Sequence, residues 1–187
     1  MNDHAAETRM PPPAADAALP VKFRQTTLQV CILRLKFPGG HEFEALGREF
    51  GVHWPLAPNT TATGEAVKVL WLGPSEWVIE HLPAAEVSAR AARACGATLH
   101  HVADVSEGRV VYELEGPKAR EVLNKGCSLD LHPQAFGVGQ CAQTLLHHAN
   151  ILLDACGPDR FRFYTDRSIA AWMTTWLEDA TVEYRAG

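Results

Sequence analysis

The sequence of 187 residues lacks the patterns that mark several common classes of protein. No apolar run approaches the roughly 18 residues that a membrane-spanning helix requires. No segment concentrates Lys and Arg, and the formal net charge is −5, so we expect no binding surface for nucleic acid or for an anionic membrane. The five cysteines form no C-x-x-C pair and no secretory signal is visible, so we expect reduced thiols in the cytoplasm.

What the sequence does contain is the composition of a globular protein. Hydrophobic residues make up 47% and charged residues 21%, which predicts a well-buried core. Residues 1–20 differ from the rest because they include PPPAADAALP, which is rich in Ala and Pro, so we predict a disordered tail. We expect residues 21–187 to form one domain of two subdomains, which span about residues 21–105 and 106–187.

The first half of the domain is predicted to alternate strands and helices. Apolar residues alternate along residues 25–37, which predicts a strand, and recur at helical spacing in residues 41–51. Gly73 lies in the turn of a predicted hairpin. A helix that ends at Cys95 and a strand over residues 97–105 complete a β-α-β-β-α-β order, which is the ferredoxin-like split arrangement.

The second half is predicted to contain another set of elements. A strand over residues 109–116 is followed by a helix to Asn124, an irregular segment, three short strands and a last helix capped by Ser168. That helix carries an apolar stripe, which we expect to be core or subunit interface: Ile169, Trp172, Met173, Trp176 and Leu177. We therefore predict an α+β fold of two packed subdomains with largely antiparallel sheets.

One glycine-rich segment matches a nucleotide-binding pattern. Residues 137–142, GVGQCA, fit G-x-G-x-x-A. A dinucleotide fingerprint must follow a strand and open a helix, so that the pyrophosphate lies at the helix N-terminus. Here the segment follows LHPQAF and continues into the strand-like AQTLLHH, so a glycine-rich turn is the better interpretation.

Cysteines and histidines in the same region suggest a metal site. Cys127, His132 and Cys141 with either His147 or His148 give the spacing C-x4-H-x8-C-x5-H. Structural zinc sites instead favour paired ligands two to four residues apart. Both His-His dipeptides of the sequence are predicted on strands, where neighbouring side chains point to opposite faces. Buried thiols and hydrogen-bonded imidazoles are the better interpretation.

A catalytic interpretation of the same residues is also conceivable. Cys127 and His132 could form a nucleophilic pair with Asp130 as the orienting group, but this needs a thiolate-stabilising environment and a sharply folded loop. Asp104 and Glu107 could act as acid and base, although a role at a turn or a strand end is the simpler explanation. No constellation in the sequence therefore predicts chemistry convincingly.

Four stretches resemble the sarcosine oxidase gamma subunit family in order and spacing. They are LGPSEWVI at residues 72–79, DVSEGRVVYELEGPKAREVLNKGCSLDLHP at 104–133, FGVGQCAQTLL at 136–146 and RSIAAWMTTWLEDA at 167–180. KGCSLDLHP at residues 125–133, followed by G-x-CAQT, is the most specific of these motifs. LGPSEW and the strand–Gly-Pro–helix unit are shared with the folate-binding aminomethyltransferases, so the resemblance implies a fold of that type.

The resemblance implies a non-catalytic subunit of a four-chain complex that oxidises the N-methyl group of sarcosine. The implied products are glycine, hydrogen peroxide and either methylene-tetrahydrofolate or formaldehyde. In the family, FAD, a covalent FMN and NAD lie on the alpha and beta chains, and zinc lies on the delta chain. The resemblance therefore implies no cofactor on this chain, and tetrahydrofolate would bind to a partner subunit. The expected partners are the alpha, beta and delta subunits.

The family motif suggests a rigid surface loop over residues 125–141 that docks on the large subunit. Gly126 and Gly139 permit unusual backbone angles, and Pro133 stiffens the loop. Asp130 and His132 can hydrogen-bond the backbone at its bends, while small thiols pack below it. The candidate docking residues are Lys125, Gly126, Cys127, Asp130, His132, Pro133, Gly139 and Cys141.

Two other functions remain open at this point. One is a free-standing folate-binding module, which predicts a pocket between the two subdomains. The other is a gamma subunit of an oxidase for another N-methylated amine, such as dimethylglycine or N-methylglutamate. The sequence of this chain does not separate these amines, because the substrate would bind to another subunit.

Overall fold

The computed structural model describes residues 20–184. Of the predicted tail, residues 1–19 lie outside the described residues. The described range contains ten strands and four α-helices. The strands form two five-stranded sheets, and all pairings between the described strands are antiparallel. This confirms the predicted α+β fold with antiparallel sheets.

The elements follow one another in the predicted order, with two strands that were not predicted, at residues 22–26 and 61–63. The strands are β1 Lys22–Thr26, β2 Val30–Leu35, β3 Thr61–Thr63, β4 Lys68–Gly73, β5 Glu76–Glu80, β6 His100–Asp104, β7 Arg109–Glu115, β8 Cys141–Leu146, β9 Ala149–Gly157 and β10 Arg160–Asp166. The helices are α1 Gly40–Phe50, α2 Ala84–Cys95, α3 Ala119–Asn124 and α4 Ala170–Thr181.

The two sheets have the same design. Sheet 1 has the strand order β3-β4-β5-β2-β6, and sheet 2 has the order β8-β9-β10-β7-β1. In sheet 1, helix α1 follows β2 and helix α2 follows β5. In sheet 2, helix α3 follows β7 and helix α4 follows β10, and these strands hold the same fourth and third places in the order. Without its edge strand β3, sheet 1 is the predicted ferredoxin-like β-α-β-β-α-β unit.

One strand of the first half of the chain, β1, belongs to the sheet of the second half. β1 directly precedes β2 but pairs with β7 in sheet 2, whereas β6 directly precedes β7 but pairs with β2 in sheet 1. The single strand predicted over residues 25–37 was therefore wrong, because residues 22–26 and 30–35 belong to different sheets. No glycine or proline separates the two segments, so only their pairing partners distinguish them.

Helices cover the outer faces of the sheets, and the inner faces pack on each other. Leu46 and Val87 of α1 and α2 are buried against sheet 1, and Leu123 and Leu177 of α3 and α4 against sheet 2. A third cluster lies between the sheets and consists of Val30, Leu70, Val78, Val111, Cys141, Leu152 and Tyr164. Among residues 20–184, no helix is long and apolar enough to cross a membrane.

The last helix begins later than predicted. Residues Arg167–Ile169 form a 3₁₀ turn, and Ile169 occupies the N-cap position of α4 without a side-chain hydrogen bond, so Ser168 is not the cap. Of the predicted stripe, Met173 and Leu177 are fully buried. The apolar face of α4 is therefore largely core of sheet 2.

Candidate subunit-docking loop

Residues 125–141, the predicted docking loop, connect α3 to β8. Cys127, Leu131 and Phe136 are buried in the apolar core between sheet 2 and its helices. Asp130 and His132 are exposed. The loop therefore has a buried apolar underside and a polar crest, so much of its sequence serves to hold the loop on its own domain.

The guanidinium group of Arg120 fixes the underside of the loop. It donates to the carbonyl oxygens of Leu131 and Phe136, the latter at 3.0 Å, and to that of Pro158 at 3.1 Å. The group also lies 4.7 Å from the ring centroid of Phe161. Because carbonyl groups from two segments share one charged donor, the loop is held rigidly against sheet 2.

The crest carries the backbone hydrogen bonds that the sequence predicted at its bends. The Asp130 carboxylate accepts from the backbone N–H of His132 at 2.9 Å, and His132 Nδ1 accepts from that of Gln134 at 3.3 Å. The His132 carbonyl accepts from the N–H of Phe136 at 2.8 Å. Pro133 is exposed between these bonds. The nucleophilic interpretation of Cys127, His132 and Asp130 gains no support, because the side chains of Asp130 and His132 accept hydrogen bonds from the backbone of the turn.

The start of the loop is attached to α4. Lys125 Nζ lies 2.5 Å from the carbonyl oxygen of Ala180 and 2.5 Å from Glu183 Oε1. Gly126 does not have a positive φ, contrary to the prediction of an unusual backbone angle. Glycine is required there because a Cβ atom would lie 2.8 Å from Trp176 Cζ2. The close approach of the backbone to the indole therefore explains Gly126.

The two loop cysteines lie in different surroundings. Cys127 Sγ lies 3.9 Å from Thr144 Oγ1. Cys141 is fully buried between the two sheets rather than below the loop, and its thiol donates to the carbonyl of Trp71 at 3.4 Å. Burial, reinforced by the Asp154 carboxylate, raises the pKa of Cys141 to about 12. The Cys141 thiol therefore stays protonated, which does not suit a nucleophile or a metal ligand.

The glycine-rich match forms the predicted turn before a strand. Gly139 has a φ of 84°, which favours glycine. Gln140 Oε1 accepts from the N–H of Gly137 at 2.6 Å, and the Gly139 carbonyl accepts from the N–H of Thr61 at 2.8 Å. The segment continues into β8 rather than into a helix, so it also joins the loop to the edge of sheet 1.

The second His-His dipeptide differs from its prediction. His147 and His148 form the turn between β8 and β9, with a φ of 56° at His147, and their Nδ1 atoms lie 2.6 Å apart. They do not point to opposite faces, because they are not on a strand. Both rings contact Trp172. In residues 20–184, no three His, Cys, Asp or Glu side chains are grouped as metal ligands.

Charged residues that the sequence analysis missed connect the sheets. Lys68 of β4 pairs with Asp154 of β9, and Arg162 of β10 bonds Glu80 of β5 at 2.6 Å and Glu113 of β7 at 2.7 Å. All five side chains are at least nine-tenths buried. Burial alone would lower the pKa of Lys68, but Asp154, Cys156 and Glu80 together outweigh it and raise that pKa. The available sign in the sequence was that these charged residues occupy strand positions that alternation assigns to the same face as buried apolar residues.

A cavity of about 440 Å³ lies between the sheets, next to the apolar cluster. Val30, Ile32 and Leu72 line it from sheet 1, and Leu152 and Tyr164 line it from sheet 2. Polar side chains that also line it are Arg109, Gln143, Thr144 and Asn150. The folate-module alternative predicted a pocket at this position between the two halves of the domain.

Comparisons with known proteins agree with the resemblance in the sequence. The profile of the "Sarcosine oxidase, gamma subunit family" matches residues 40–183. The chain is 36% identical over 148 residues to the sarcosine oxidase subunit gamma of Corynebacterium sp. (strain P-1), which covers 79% of this chain and 73% of that protein. It is 33% identical over 153 residues to that of Arthrobacter sp., at coverages of 79% and 73%.

Solved structures are similar over nearly the whole chain. A chain of the heterotetrameric sarcosine oxidase from Corynebacterium sp. U-96 gives a TM-score of 0.80 at 32% identity, covering 91% of this chain and 89% of that one. Aminomethyltransferase T of the glycine cleavage system from Bartonella henselae gives 0.60 at 14% identity, covering 84% and 45%, which shows a shared fold alone. The chain therefore belongs to the sarcosine oxidase gamma subunit family.

Proposed function

We propose that this chain is the non-catalytic gamma subunit of a heterotetrameric sarcosine oxidase. The observation that carries the proposal is the similarity to a chain of the Corynebacterium enzyme, at a TM-score of 0.80 over about nine-tenths of both chains. The chain is therefore similar in fold to most of that chain of the enzyme.

The proposed complex oxidises the N-methyl group of sarcosine in the cytoplasm. It yields glycine, hydrogen peroxide and either methylene-tetrahydrofolate or formaldehyde. In this proposal the alpha and beta subunits hold FAD, covalent FMN and NAD, tetrahydrofolate binds on a partner chain, and the delta subunit holds zinc. The gamma chain contributes to assembly and to the stability of the complex.

The state of the cysteines supports a non-catalytic role. Burial raises the pKa of Cys31 and Cys95 to about 11 and that of Cys141 and Cys156 to about 12. A nucleophilic cysteine needs the opposite shift, because the thiolate is the reactive form. These four thiols therefore suit packing rather than catalysis.

The crest of residues 125–141 is proposed to contact the large subunit. Its exposed residues extend from a base that Arg120 and buried Leu131 hold in place. The double change His132→Ala and Pro133→Ser alters the crest without removing a buried side chain. It should reduce recovery of the gamma chain with the alpha chain, and normal recovery would remove this loop from the interface.

The direct test is to express the four chains together, with and without this chain. The complete set should co-purify and release peroxide when sarcosine is added, and omission of this chain should lower the yield of assembled complex. Dimethylglycine and N-methylglutamate should be tested in the same peroxide assay. If the chain does not co-purify with the others, the subunit proposal is wrong; if another amine is preferred, only the substrate changes.

The cavity between the sheets favours a second candidate function, a folate-binding module. Apolar side chains would face the pterin ring, and Arg109 is placed to meet a carboxylate of the ligand. Tetrahydrofolate should then bind the isolated chain in titration calorimetry, and Leu152→Trp, which fills the cavity, should abolish the binding. No heat of binding to the unmodified chain would exclude this function.

A further inference from the structure

Two exposed apolar side chains lie at the same end of sheet 1. Phe37 is the second residue after the end of β2 and is 89% exposed, more than any other large hydrophobic residue among residues 20–184. Leu99 precedes β6 and is 66% exposed. The N–H of Lys36 donates to the carbonyl of Leu99 at 2.8 Å, so the two residues flank one pair of adjacent strands. We call Phe37 and Leu99 the apolar patch.

The backbone presents Phe37 in a strained conformation. Its φ is 51°, in the left-handed region that bulky residues rarely adopt. Glycine or asparagine would adopt this angle more readily, and either would also avoid exposing an aromatic ring to water. Strain of this kind at a surface position indicates that the side chain is retained for a contact with another molecule.

A buried carboxylate fixes the segments on both sides of the patch. Glu42 Oε2 accepts from the N–H of Gly39 at 2.8 Å, and Glu42 Oε1 accepts from Thr98 Oγ1 at 2.6 Å. Gly39 is two residues from Phe37, and Thr98 directly precedes Leu99. The apolar patch is therefore preorganised, which lowers the entropy lost when it binds.

The charge around the patch is positive. Lys36 Nζ lies 5.6 Å from the ring centroid of Phe37, and within residues 20–184 Lys36 forms no salt bridge. Glu42 is buried in the bonds above and Glu76 pairs with Arg34 at 2.8 Å, so neither carboxylate pairs with Lys36. The complementary surface is therefore an apolar pocket with an acidic rim.

We propose that the apolar patch is a second docking surface, at which Phe37 inserts into an acidic-rimmed apolar pocket on a larger subunit of the complex. This inference rests on the proposed gamma-subunit function. It adds a contact on sheet 1 to the crest of residues 125–141, which lies on sheet 2. Aromatic side chains at the centre of an interface commonly supply much of its binding energy.

Competitive assembly tests the proposal in the full complex. The wild-type chain and the Phe37→Asn variant are expressed together with the other subunits, and their ratio in the purified complex is measured by mass spectrometry. Asn tolerates the left-handed angle, so the variant should fold at least as stably as the wild type, as thermal unfolding of each isolated chain will show. Its incorporation should fall about 30-fold, the effect of losing a strong interface residue.

Two further variants distinguish the apolar patch from other exposed apolar residues and test the charge beside it. Leu56→Ser changes another exposed apolar residue of the first half and should be incorporated like the wild type. Lys36→Glu should reduce incorporation more at low salt than at high salt, because exposed charges are screened. Equal incorporation of Phe37→Asn and wild type would overturn the proposal, as would native mass spectrometry that shows a dimer of the isolated wild-type chain but not of Phe37→Asn. Failure of the wild type to assemble would instead count against the gamma-subunit function.

Discussion

The two ends of the interface between the sheets differ sharply in chemistry. Inward-facing positions along β9 run from Leu152 beside the cavity to Asp154 in an ion pair, and those along β10 run from Tyr164 to Arg162. The same strands therefore contribute an apolar end with unfilled space and an ionic end with paired charges. Leu70 and Val111 lie between the two ends.

The difference shows how the relative position of the sheets is set. Apolar contacts tolerate small displacements, because any apolar neighbour of suitable size is acceptable. Buried ions do not, because a displaced partner leaves a charge desolvated and unpaired. We infer that the apolar end supplies burial, while the ionic end fixes the register of one sheet on the other.

The largest expected effect comes from breaking the ionic end. Arg162→Met leaves the Glu80 and Glu113 carboxylates buried without their shared cation, so the free energy of unfolding should fall by about 3–5 kcal/mol. Urea unfolding at neutral pH measures this change. As a control, Arg93→Met removes an exposed pair with Glu49 and should cost less than about 1 kcal/mol. Similar losses in the two variants would show that the ionic end is not special.

The ionic end should also make stability depend on pH. Burial alone would raise the pKa of Glu113, but hydrogen bonds from Arg162 and Arg24 lower it from 4.5 to about 2. A lowered pKa in the folded state stabilises the protein above pH 4.5, and this contribution is lost as the pH falls toward 2. The loss should be about 3 kcal/mol. Urea unfolding between neutral and acidic pH should show it, and Glu113→Gln should remove this part of the dependence.

Truncation of leucines should separate the middle of the interface from its apolar end. Leu70 is fully buried, so Leu70→Ala should lower the free energy of unfolding by about 3 kcal/mol. Leu72 is partly exposed and borders the existing cavity, so Leu72→Ala should cost about 2 kcal/mol less. Denaturant unfolding of both variants gives the comparison. Equal losses would mean that the cavity is filled or collapsed in solution.

The smallest expected effect concerns the cavity wall. Within residues 20–184, the hydroxyl of Tyr164 is buried without a hydrogen-bond partner. Tyr164→Phe removes this unsatisfied group, so stability should stay the same or rise by about 1 kcal/mol. Thermal and urea unfolding measure the change. A loss of more than about 1 kcal/mol would show that a water or ligand bonds the hydroxyl in solution.

Much of the element order was accessible from the sequence, whereas the pairing of elements was not. The turn at Gly73 and the helix end at Cys95 follow from local backbone preferences and were found. The separation of residues 22–26 from 30–35 was missed, because no glycine or proline lies between the two segments. Their assignment to different sheets depends on β7 and β6, which lie far away in the chain.

The candidate loop divides in the same manner. The turn roles of Asp130 and His132 were predicted, since these side chains bond backbone groups two residues away. The reason for Gly126 was not, because it depends on Trp176 in the last helix. The position of Cys141 between the sheets was also missed, since its thiol contacts the carbonyl of Trp71 across the interface.

By itself, the sequence determined the class of fold, the family and the local turns, because periodicity, turn chemistry and motifs act over a few residues. Only the tertiary structure decided the pairing of β1 with β7, the ion pairs between the sheets and the exposure of Phe37. Each of these depends on groups that are distant in sequence and meet only after folding. Their free energies come from burial and pairing, which no short segment specifies.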